Sequence, residues 1–81
     1  MSVEEILQIM RELIAETLAT DPAKITMETS FEDDLDANSV DLVEVAMGME
    51  ERFDIGEVSE EELAGLKTVG DAVRFLAARL K

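Results

Sequence analysis

The chain has 81 residues, 20 of them acidic and 7 basic, for a formal net charge of -13, and it holds no Cys and no His. That size fits one small domain with a marginal core; without Cys or His it has neither a disulfide nor a zinc site of the usual kind to lean on, so it must rest on helix packing with five Met as adaptable filler. The charge argues against nucleic acid and anionic membrane, which need a basic face, and makes a basic protein surface the natural partner.

The chain opens Met1-Ser-Val-Glu-Glu5, with no basic start and no continuous apolar run, and no stretch approaches the length of a membrane span. A cytoplasmic protein is expected. Residues 3–19 place Ile6, Met10, Leu13, Ile14 and Leu18 on one stripe, which predicts an amphipathic helix. Ser2 and Glu5 have the spacing of a capping box at its start. Asp21-Pro22 breaks the period, and Pro22 suits the first turn of a short turn or helix running to Ile25.

Residues 26–37 have no sustained period and predict a long loop, pinned to the core by Met27, Phe31 and Leu35. The helical period returns over 39–53 through Leu42, Val45, Ala46, Met49 and Phe53. Asn38 is its cap, and Asp41 completes a box-like start. Gly48 inside this helix costs up to about 1 kcal/mol relative to Ala, which points to a close packing contact. A short acidic turn of helix is predicted over 59–64, with Ser59 as cap and Glu60, Glu61 and Glu62 at the positive end. The last helix is predicted over 68–80. Thr68 and Asp71 cap it, Val69, Ala72, Val73, Leu76 and Leu80 line its core face, and Arg74, Arg79 and Lys81 suit its negative end. No strand pattern competes. The predicted class is all-α: a small four-helix bundle, three main helices and one short one, with a long loop between helices one and two. Bundle loops are usually shorter than this one, so a loop of that length before a helix start invites a functional explanation.

The charge is localised. Residues 28–62 contain fourteen acids and a single base, Arg52, while the two flanks together balance to zero. A solvated, solubilising surface would account for this. The stretch from Phe31 to Glu44 adds more. Ser39 is predicted at the first position of a helix, where unpaired backbone N–H groups and the positive end of the helix favour a phosphoester. The chain has no His to activate that hydroxyl, so Ser39 is a poor nucleophile within this protein and a good substrate for another enzyme. Taken alone, a Ser at a helix start is commonplace.

The pattern around Ser39 resembles the acyl carrier proteins of fatty-acid and polyketide synthesis. Their modified serine lies in Asp-Ser-Leu, which reads Asn38-Ser39-Val40 here. Phe31 through Leu35 resembles the family's Phe-x-x-Asp-Leu run before the site, and Asp41, Glu44, Met47, Glu50, Glu51 and Phe53 fall where the family has its acidic recognition helix. Thr68 through Val73 resembles the start of its last helix. The likeness covers nearly the whole chain, so residues 1–81 are read as a single acyl carrier domain. It implies a 4'-phosphopantetheine arm, moved from coenzyme A to the Ser39 oxygen by a phosphopantetheinyl transferase, that carries acyl groups as thioesters to basic-surfaced synthase enzymes. Family members partly shelter the acyl chain between their helices. The carrier is not itself an enzyme, and a monomer is expected.

If Leu42, Val45, Ala46, Met49 and Phe53 face inward, Val40, Glu44, Met47 and Glu51 face elsewhere. Val40 and Met47 then stand as exposed apolar spots among Asp41, Glu44, Glu50 and Glu51, a surface suited to a partner with basic residues around a small apolar pocket. For Met47 the competing reading is core filling, and for Glu44 and Glu51 a plain solvated face. Asn38 and Val40 depart from the family's Asp and Leu, which raises a specialised carrier for polyketide or other acyl groups as an alternative. An unmodified acidic interaction domain is another. A calcium site is weighed and fails: Asp34, Asp36 and Asn38 match the first EF-hand positions, but Ser39 stands where Gly is needed and Val45 where Glu is needed. No metal site is predicted.

Overall fold

Every α-helix begins with the same device. In the computed structural model, which describes residues 1–80, α1 (Val3–Leu18), α2 (Ser39–Phe53), α3 (Glu60–Ala64) and α4 (Val69–Arg79) each start with a complete capping box. The pairs are Ser2 with Glu5, Asn38 with Asp41, Ser59 with Glu62, and Thr68 with Asp71. In each, the cap side chain accepts from the third backbone N–H and the third side chain accepts from the cap backbone N–H. A 3-10 turn at Pro22–Lys24 follows α1, with Asp21 capping it. The first helix thus ends one residue before the predicted 19, because Ala19 takes the left-handed conformation that closes a helix.

The bundle is built around α1, which packs against both α2 and α4. Ile6, Met10, Leu13 and Ile14 supply its buried stripe. Val45, Ala46, Met49 and Phe53 answer from α2, and Val69, Ala72, Val73 and Leu76 from α4. Full burial of one of the larger of these side chains, Ile, Leu, Val, Met or Phe, contributes about 1.5–3 kcal/mol. Gly48 faces Leu13, and a Cβ at Gly48 would overlap the Leu13 Cδ1 atom, which is the close contact its place in the helix predicted.

The long loop is strapped down by its backbone as well as by side chains. Phe31 is buried, whereas Met27 and Leu35 are half-buried; Ile25, Thr29 and Ala37 are buried too. The Phe31 N–H donates to the Lys67 carbonyl at 3.1 Å, the Val69 N–H to the Thr29 carbonyl at 2.9 Å, and the Gly70 N–H to the Met27 carbonyl at 2.8 Å. Ser30 and Thr68 form an isolated antiparallel bridge between these segments. Asp36, in the left-handed conformation that a short polar side chain tolerates, turns the chain into buried Ala37 and then Asn38. The loop therefore delivers α2 to a fixed starting point.

One predicted role at the end of α4 needs correction. Arg74 pairs with Asp71 at 2.9 Å, near the start of the helix rather than its end, because the two lie one turn apart. Arg79 lies in the last turn of α4 as predicted, and from there it also reaches Glu62 and the Ile55 carbonyl. Lys81 lies outside the described residues.

Candidate functional site

Ser39 is the first residue of α2 and is exposed. The cap that starts the helix belongs to its neighbours: the Asp41 N–H donates to Asn38 Oδ1 at 2.9 Å, and the Asn38 N–H donates to Asp41 Oδ2 at 3.1 Å. Neither bond uses the Ser39 hydroxyl. The hydroxyl thus stands at the positive end of a 15-residue helix, where a phosphoester is favoured.

Beside Ser39 lies a mostly apolar cleft of about 320 Å³ between α2 and α3, lined by Ser39, Leu42, Val43, Glu60, Leu63 and Ala64. A second cleft, of about 280 Å³, runs from the same seam toward Phe31 and Lys67 and shares Leu42, Leu63 and Ala64 with the first. The site therefore offers an attachment oxygen, a helix end suited to a phosphate, and an apolar recess within one wall of that oxygen. Those features fit a phosphorylated arm with an apolar cargo.

Farther along α2, Val40 is 65% exposed, Met47 60% and Val43 48%. Their spacing places them on one side of the helix. Glu44 and Glu51 are exposed on the same helix. Met47 is thus not core filling. Val43 is a residue the sequence reading missed; its signal was its place three residues after Val40 and outside the inward set.

Glu50 corrects the predicted acidic face. Its carboxylate is turned inward along the chain and accepts the Val58 N–H at 2.7 Å, in a part-buried contact that holds the loop after α2. Asp41 is half-buried and holds the helix cap. Of the predicted acids on α2, Glu44 and Glu51 are the ones left open to solvent. Asp34 likewise serves the loop, accepting the Ser30 N–H at 2.7 Å. Among the described residues no three His, Cys, Asp or Glu side chains gather to hold a metal ion, and no helix is long and apolar enough to cross a membrane.

Both the sequence and the fold have relatives among known proteins. Residues 8–76 match the family model described as the phosphopantetheine attachment site. The chain is 43% identical over 79 residues to an acyl carrier protein of Prochlorococcus marinus (strain MIT 9515), covering 98% of both sequences. Its fold is similar to the solved acyl carrier protein from Enterococcus faecalis, described for its high thermal stability. There the TM-score is 0.78 at 29% identity, over 98% of this chain and 99% of that one.

Proposed function

From the chain's membership of the phosphopantetheine attachment family, among relatives that are acyl carrier proteins, we propose that Ser39 is the residue that bears the arm. The protein carries acyl groups on 4'-phosphopantetheine, and the arm supplies the terminal thiol to which they are joined. The observation that carries the assignment is the exposed Ser39 hydroxyl at the start of α2, free of the capping bonds made by Asn38 and Asp41.

The chain's own residues set up the attachment and leave its chemistry to another protein. Asn38 and Asp41 fix the helix start so that the Ser39 oxygen is presented to solvent. On attachment, that oxygen forms a bond to the β-phosphorus of coenzyme A, and the bond from this phosphorus to the departing adenosine 3',5'-bisphosphate breaks. The serine proton goes to a base on the transferase, since the chain has no His. We read residues 1–81 as one carrier domain, cytoplasmic and monomeric, that catalyses nothing itself.

Docking falls to the outer face of α2. Val40, Val43 and Met47 offer apolar contact, and Glu44 and Glu51 offer charge to a basic rim on the transferase or a synthase enzyme. The cleft at Ser39 has the lining to shelter an acyl chain.

The test is intact-protein mass after incubation with coenzyme A, Mg2+ and a broad-specificity phosphopantetheinyl transferase. One arm should be gained, and the gain should vanish in Ser39→Ala. That variant should unfold within about 0.5 kcal/mol of the parent, because the cap lies elsewhere. No gain with several transferases would refute the assignment for the natural sequence. Restoring the gain by Asn38→Asp would then trace the failure to the missing carboxylate; no restoration would favour a pure interaction domain.

A further inference from the structure

The wall of the Ser39 cleft formed by α3 is weakly built. It has five residues, none of them fully buried, and Leu63 and Glu62 are only half-buried. A helix this short has little stability of its own. Its position must come from contacts outside it.

Leu63 packs against the core, and Arg79 adds polar contacts from α4. Its guanidinium pairs with the Glu62 carboxylate, donates to the Ile55 carbonyl at 3.2 Å, and lies 4.8 Å from the centre of the Phe75 ring. A planar fork with several donors suits this double engagement in a way an ammonium does not. Glu62 is committed on its other oxygen to the Ser59 N–H at 3.0 Å, so the carboxylate that caps α3 is also the one that Arg79 grips. Immediately before that cap, the Glu50 carboxylate accepts the Val58 N–H. One arginine thus joins α4 to both the start of α3 and the segment leading into it.

We propose that Arg79 is a positioning residue: by mooring α3 over the Ser39 cleft it sets the length of acyl chain that the cleft shelters. This rests on the reading of Ser39 as the attachment point. While α3 is moored, Leu63 and Ala64 stay against the seam with Leu42 that the two clefts share. When α3 is released, the clefts of about 320 and 280 Å³ can join into one longer recess.

The experiment compares the natural sequence with Arg79→Gln, Glu62→Gln and the double variant. Glu62→Gln keeps an oxygen for the Ser59 N–H while removing the charge that Arg79 holds. Hydrogen exchange on the unloaded protein should be faster at the α3 amides by on the order of threefold to tenfold in either single variant, with α1 unchanged and the double variant no worse than the singles. Each protein is then loaded with butyryl, octanoyl or dodecanoyl groups, and thioester cleavage by hydroxylamine is timed. Protection in Arg79→Gln should shift toward the longest chain and fall for octanoyl, with butyryl unaffected. Arg79→Lys should lie between, since it keeps the charge without the second bond. Unchanged exchange at α3 overturns the mooring. A uniform rise in cleavage at all chain lengths, following a lower unfolding midpoint, overturns the length control and leaves a purely structural role. Failure to load any chain at all would instead overturn the Ser39 reading, and the exchange result would stand apart from it.

Discussion

A methyl group at position 48 would have to displace the Cδ1 end of Leu13, a core side chain that is 4% exposed. Two effects oppose each other in Gly48→Ala. Alanine favours the helix by about 1 kcal/mol, while forcing a buried side chain from its rotamer costs about 1–3 kcal/mol. The clash should win, and chemical denaturation should show a net loss of about 1 kcal/mol. In a Leu13→Ala background the obstacle is gone, so the same substitution should become stabilising. Loss in both backgrounds would mean that something other than Leu13 fixes the glycine. The need for this glycine was legible in the sequence, because glycine inside a periodic helix requires a reason. The inward turn of Glu50 was not: its partner is a backbone N–H eight residues on, in a loop with no period, and nothing about a glutamate at that place distinguishes it from Glu51.

At the scale of elements, the capping boxes of α1, α3 and α4 link helix formation to pH. Asp71 accepts the Thr68 N–H at 3.0 Å, the Arg74 guanidinium at 2.9 Å and the Lys67 N–H at 3.1 Å. These bonds, the one from the Thr68 backbone foremost, hold its carboxyl below the usual carboxylate range. Glu5 and Glu62 are lowered in the same way, chiefly by the Ser2 and Ser59 backbones. A lowered pKa contributes stability that is fully present above the unfolded value and is lost as pH falls through the folded one. For Asp71 the loss begins near about pH 4 and continues below it. The difference in urea midpoint between the natural sequence and Asp71→Asn should therefore be constant above about pH 5 and shrink as acid protonates Asp71. A difference that holds steady down to about pH 3 would show that the charge does not support α4. The helix starts were readable in advance because a capping box is local, its two members three residues apart. The straps from Met27, Thr29 and Phe31 to residues 67–70 were not, since they join backbone atoms about forty residues apart and leave no local pattern. Arg79 escaped for the same reason: its partner lies 17 residues away, and the sequence offered a simpler place for it at the helix end.

Over the whole molecule, the charge works against the fold and for the encounter, and salt separates the two. The molecule measures 29 × 25 × 19 Å, and its net charge of -13 equals that of residues 28–62 alone. That segment takes in most of the long loop, all of α2 and the first residues of α3, so the repulsion is concentrated on the parts that surround Ser39. At about 0.01 M salt the screening length is about 30 Å, and every acid in the segment feels every other; at about 1 M it is about 3 Å and the repulsion is confined to neighbours. Raising NaCl across this range should therefore raise the thermal midpoint. About 1 kcal/mol of relief corresponds to roughly 4–8 °C in a domain of this size. The same screening removes the attraction that steers a basic partner toward Glu44 and Glu51, so the association rate with the transferase should fall by on the order of tenfold or more. One salt series read by calorimetry and by stopped-flow binding should give slopes of opposite sign. A midpoint indifferent to salt would mean that the acidic segment is solvated well enough to carry its charge without strain. An association rate indifferent to salt would mean that docking relies on Val40, Val43 and Met47 alone, and Glu44→Gln with Glu51→Gln should then leave that rate unchanged.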